Sequence, residues 1–100
     1  MPDADGYPVE DELIRIGAWE DSHDCLGWLA LVKSCWWAAD WGWRESLTDE
    51  GTLRQFDVST GGWSGNESII TTMQSNFVMW AATWDSRRRG GHFVFLVPVA

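Results

Sequence analysis

Basic residues are scarce in this chain: seven Lys and Arg stand against fifteen Asp and Glu in 100 residues, a net charge of −8. An acidic excess of that size repels phosphates and argues against broad nucleic-acid binding. No apolar run approaches the ~20 residues that a membrane-spanning helix needs, and the charged start MPDADGYPVEDE lacks the marks of a secretory leader. Cysteine is nearly absent, with Cys25 and Cys35 alone. On one helix these two would stand about 15 Å apart along the axis, too far for a bridge within the chain. Two unbridged thiols suit a reducing compartment. The expectation is a cytoplasmic protein with no membrane association.

Metal and catalytic signals are thin as well. His23, Cys25, Cys35 and His92 are the only soft ligands, and no C-x-x-C or H-x-x-x-H pair occurs. His23 and Cys25 lie two residues apart and do not share a helix face. No metal and no other cofactor is expected. Both cysteines fall on the apolar stripe of their helix, where a thiol is usually buried and inert. Most of the acids sit in the outer N-terminal segment, so no carboxylate pair stands out for acid–base work. The reading leans away from an enzyme, and no catalytic residue is assigned.

What the chain does have is tryptophan. Nine Trp and four Phe occur, each able to bury roughly 150–250 Å², which is ample for one compact core. The charge is uneven. Residues 1–24 hold eight acids and a single base, Arg15, whereas the remaining 76 residues are almost balanced. Residues 1–8 read as a flexible acidic tail, and residues 9–100 as a single domain of ordinary size.

The periodicities predict the element order α-α-β-β-α-β-β. Glu10, Asp11 and Glu12 favour a helix start, and Val9, Leu13 and Ile16 place a short helix over about 9–18. Cys25, Trp28, Leu29, Val32, Cys35, Trp36 and Ala39 make a second helical stripe, closed by Asp40 and Gly42. In WGWRESL the period changes to two, with Trp41 and Trp43 on one strand face. TDEG then turns the chain into LRQFDVST, a second strand with Phe56 and Val58 on one side. Ser64 and Glu67 have the spacing of a capping box, with Asn66 as an alternative cap, and predict a helix over about 65–76. FVMWAATW reads as a strand that also buries Trp80 and Trp84, DSRRRGG as a turn, and HFVFLVPV as the last strand. The fold class is α+β, an antiparallel sheet of about four strands with its helices packed on one face.

One stretch, DVSTGGWSGNESII at residues 57–70, places a glycine-rich loop at a helix start. An eight-residue strand after that helix would span roughly 26 Å and carry SRRRGG back beside the loop. Free N–H groups at residues 64–67 and the guanidinium forks of Arg87, Arg88 and Arg89 would then suit an anion. Trp63 could stack a base or sugar. The plain alternative is a pair of turns, since no Walker-type lysine follows the glycines. Trp37, off its helix stripe, and Trp63, in the loop, are the better interface candidates among the tryptophans.

TGGWSGNESII at 60–70, then MQSN, a W-rich segment and SRRRGGHFVF at 86–95, with WWAADWGW upstream at 36–43, resembles a family of small uncharacterised proteins encoded by actinobacteriophages. The likeness spans about residues 9–97. The chain departs from that pattern by a third arginine in the turn and by Phe93 where tyrosine is usual. The resemblance implies a phage accessory protein working in the cytoplasm of an actinobacterial host. The functional expectation is therefore a non-enzymatic binding module for a host or phage macromolecule, a protein above all. Its contact edge would hold Trp63, Ser64, Asn66, Arg87, Arg88, Arg89 and His92, with the acidic N-terminal segment as a second candidate surface. The alternative is a small-ligand module taking a nucleotide or other phosphorylated compound at the same edge.

Overall fold

The computed structural model describes residues 9–48 and 51–98, with the side chain of Arg88 outside that set. The acidic tail read over 1–8 and residues 49–50 of the first hairpin turn thus lie outside the described residues. The chain runs α1 (Glu10–Ala18), α2 (Cys25–Cys35), α3 (Ala39–Gly42), β1 (Trp43–Thr48), β2 (Leu53–Ser59), α4 (Ser64–Ser75), α5 (Phe77–Thr83), β3 (Trp84–Arg88) and β4 (His92–Pro98). The four strands form one antiparallel sheet in the order β1-β2-β4-β3. This is the expected α+β fold, with two short helices added to the expected order.

Register explains which sheet face carries the core. Glu45, Phe56 and Phe95 lie in one row across the sheet, and Trp43, Val58 and Phe93 in the next. Directly opposed residues share a face, so Trp43, Phe56, Val58, Phe93, Phe95 and Val97 all point the same way. They join Ile16, Trp28, Leu29, Val32, Ile69, Ile70, Met73 and Met79 from the helices in a single buried cluster. The opposite face carries Arg44, Gln55, Asp57, Ser59 and His92 together with Leu53, Val94 and Leu96, and is more polar than the core face. Helices are therefore needed on one side only.

Two buried side chains lock the helical layer. The Trp28 indole N–H donates to the Ile16 carbonyl at 3.0 Å. The Asn76 amide donates to the same carbonyl at 3.0 Å and to that of Trp19 at 2.9 Å. The Asn76 carbonyl oxygen in turn accepts from the Met79 N–H and caps α5.

That cap explains the main departure from the sequence reading. FVMWAAT is helical, and only Trp84 onward joins the sheet. Met79 and Thr83 are four residues apart and both buried, and the Thr83 hydroxyl bonds back to the Met79 carbonyl at 2.8 Å. A short apolar run has no periodicity that separates strand from helix; Asn76 decides it. The second helix also ends earlier than its stripe suggests. It stops at Cys35, and Ala38 takes a left-handed conformation, φ 59°, before α3 restarts the chain. The break lets the Trp36 indole N–H reach the Ser59 carbonyl at 3.2 Å.

Candidate functional site

The glycine loop and the arginine turn do stand side by side, although by another route than a long returning strand. Ser59, the last residue of β2, pairs with His92, the first of β4. The ladder continues into the loops, where the Thr60 N–H donates to the Gly91 carbonyl at 3.1 Å. A Cβ on Gly91 would run into the Thr60 hydroxyl, and its φ of 73° is one that side chains rarely adopt. Glycine is thus required there by both space and backbone.

Within this edge the predicted residues separate. Asn66 is 2% exposed, so it contributes no contact surface. Its carbonyl oxygen accepts from the Trp37 N–H at 2.9 Å, and its amide donates to the Trp37 carbonyl at 3.0 Å and to that of Thr60 at 3.5 Å. It ties the segment after α2 to the glycine loop. Nor is Asn66 the cap of α4. The helix begins at Ser64, and Trp63 occupies the cap position without a side-chain cap bond, so the expected capping box gives way to a start one residue earlier.

The arginines divide too. Arg87 lies in β3 opposite Phe93, on the helical side of the sheet, with its guanidinium 5.4 Å from the centre of the Phe93 ring. Arg88 is also a strand residue, paired with His92, and only Arg89 belongs to the turn, where it is exposed. His92 points to the opposite, polar face, where its Nε2 lies 3.2 Å from Asp57 Oδ1, and Gln55 donates to the other oxygen of the same carboxylate at 3.0 Å. His92 is thereby separated from Arg87 by the sheet itself.

Tryptophan is what the edge gathers. Trp37 stacks on Trp63 with ring centres 4.6 Å apart and an interplanar angle of 26°. Trp41 lies across Gly61, where an added Cβ would sit 2.9 Å from the indole ring. Trp41 was expected in the core of a strand; it belongs instead to α3 and is 65% exposed, with Trp37 at 44%. Trp84, likewise expected to be buried, is 43% exposed at the sheet edge. The sequence sign for Trp41 was weak, because alternation in WGWRESL suits a strand from either tryptophan.

A small cleft of about 190 Å³ lies between α4 and β3, lined by Thr60, Glu67, Thr71, Gln74, Arg87 and Phe93 among others. Glu67 is exposed there beside Arg87, so an incoming phosphate would meet a carboxylate as well as a guanidinium. Neither thiol is set up for nucleophilic chemistry. Burial, followed by the charges of Asp24 and Asp21, pushes the Cys25 thiol up from its ordinary value. Burial, followed by a hydrogen bond with Glu12, does the same at Cys35. Among the described residues, no group of three or more His, Cys, Asp or Glu could hold a metal ion, and no helix is long and apolar enough to cross a membrane. Compared with protein-family models, with curated proteins and with solved structures, the chain finds no match.

Proposed function

We propose that this chain is a non-enzymatic binding module that grips a protein partner through the tryptophan edge around the glycine loop. The observation that carries this reading is the display of Trp37 and Trp41 in solvent, Trp37 on the turn before α3 that Asn66 holds by two hydrogen bonds and Trp41 on α3 itself. Exposed indoles lose little conformational entropy on binding, and tryptophan and arginine are the residue types that anchor protein interfaces. Arg87 and Arg89 border the same edge and would supply its polar rim. The partner is a host or phage protein, and the compartment the cytoplasm of an infected actinobacterial cell; the two free thiols, Cys25 and Cys35, support a reducing setting.

The phosphorylated-ligand reading is weaker on size and charge. Small-molecule sites usually enclose about 300–1,000 Å³, whereas the cleft beside Arg87 holds about 190 Å³ and includes Glu67. The test is affinity capture from actinobacterial lysate with three baits: wild type, Trp37→Ala with Trp41→Ala, and Arg87→Ala with Arg89→Ala. A partner held by wild type and lost with the tryptophan variant supports the reading. Equal recovery by all three baits would remove this edge as the interface. A rise in melting temperature with nucleotides or sugar phosphates, absent in the arginine variant, would favour the small ligand.

A further inference from the structure

A second and larger recess lies away from the glycine loop. About 450 Å³ opens between α2 and the inner face of β1 and β2, with Leu26, Leu29, Ala30, Ala39 and Phe56 as its apolar lining. It exists because the helical layer stops short of the sheet edge. Trp43 at the start of β1 is buried, but Leu47, on the same face two rows further, is 60% exposed. The volume falls within the range of small-molecule sites.

The rim has a definite charge. Glu45 of β1 takes the Lys33 ammonium of α2 at 3.1 Å on one carboxylate oxygen and the Arg54 guanidinium of β2 at 3.4 Å on the other. The Trp43 indole N–H adds a third bond, 3.1 Å to the oxygen shared with Lys33. One carboxylate therefore holds two cations from opposite walls, leaving one positive charge in excess on a chain whose net charge is −8. An ammonium has three N–H donors and a guanidinium five, and each spends one on Glu45. The others have no protein acceptor among the described residues. Unused donors at the mouth of an apolar recess suit a ligand with an apolar body and an anionic head.

We propose that this groove binds a small amphipathic anion, an acyl-chain carboxylate, with its chain against Leu26, Ala30 and Ala39 and its carboxylate on Lys33 and Arg54. The site is independent of the tryptophan edge and of any protein partner there. Head and body are both needed. The anion without a chain would compete with water for exposed donors, and the chain without an anion would leave the rim's one excess positive charge unmatched.

Decanoate, decanol, decyltrimethylammonium and acetate, each kept below its micelle concentration, test this on the full chain. The readouts are titration calorimetry and the Trp43 indole resonance in a ¹H–¹⁵N spectrum. Decanoate is expected to bind and to shift the Trp43 signal, with the other three at least tenfold weaker. Lys33→Gln with Arg54→Gln should weaken decanoate tenfold or more. Ala30→Trp, at an exposed position on the lining, should abolish binding by filling the groove while the circular dichroism stays that of wild type. Equal binding of decanol or the cationic analogue would overturn the anion head, and equal binding of acetate would overturn the apolar body. Decanoate that fails to bind wild type, or that binds Ala30→Trp unchanged, would overturn the site.

Discussion

The tryptophan edge and the α2–β1 groove flank the same short segment, residues 36–42, yet they are held in opposite ways. At the edge, Asn66 and the bond from Thr60 to Gly91 fasten four chain segments, and tryptophan covers the glycine loop. The groove has few such ties. Its walls meet through exposed side chains on Glu45, over an apolar lining of Leu26, Ala30 and Ala39 with the buried Leu29 and Phe56 beneath. The lesson is about where order comes from. Buried backbone groups must find partners, so the edge is specified by hydrogen bonds that would be costly to break. The groove is only what remains where the helices end.

Breaking the edge should therefore cost far more than altering the groove. Asn66→Ala leaves the Trp37 N–H and the Trp37 carbonyl without their partner, while the Thr60 carbonyl keeps the Trp63 N–H, and should lower unfolding free energy by about 2–4 kcal/mol in urea denaturation. A loss below about 1 kcal/mol would mean that water replaces the clamp and that the edge is not rigid. Gly91→Ala comes next. A left-handed conformation costs a side chain about 1–2 kcal/mol, and the clash with the Thr60 hydroxyl adds to it. Gly62→Ala, with φ 74° but open space around it, should show the conformational part alone. Equal losses at the two glycines would show that the contact with Thr60 is unimportant.

The thiols offer a pH-dependent comparison. Cys35 ends the helix that forms one groove wall, and its raised pKa means that the folded state holds the proton more tightly than the unfolded chain. Its contribution to stability is thus full below the unfolded thiol's pKa and declines as pH rises through the folded value. Melting temperature should fall on going from pH 8 to pH 10, and Cys35→Ala should flatten part of that fall. Alkylation by iodoacetamide at pH 8 should be slower for Cys35 than for a free thiol peptide. Smallest of all, Lys33→Gln and Arg54→Gln should each change stability by about 0–1 kcal/mol, as exposed ion pairs do. A loss of several kcal/mol would make the Glu45 network part of the core rather than a rim.

Much of this could be read along the chain because neighbouring residues decided it. The alternation in HFVFLVPV made β4, the stripe from Trp28 to Cys35 made α2, and the glycines at 90 and 91 marked the last turn. The nearness of the glycine loop to the arginines was legible too, though through the wrong strand. FVMWAATW could not be read alone, because its state depends on Asn76, a residue whose other bonds reach 57 and 60 positions back to Trp19 and Ile16. The split of the predicted site also lay beyond local pattern. Side chains in a three-arginine run alternate between the sides of a sheet, and only the ladder partner says which residue takes which side. Asn66 read as a cap and a contact because the segment that buries it lies 29 residues away.

By itself, then, the sequence determined the α+β class, the acidic surplus, three of the four sheet strands and the loop that must bend through glycine. Those properties rest on local sterics, on periodicity and on composition. Tertiary structure alone decided which tryptophans meet solvent, which arginine faces the helices, and that a groove opens where α2 leaves β1 uncovered. Each of these depends on which segments the fold sets side by side, and burial is a property of such pairs.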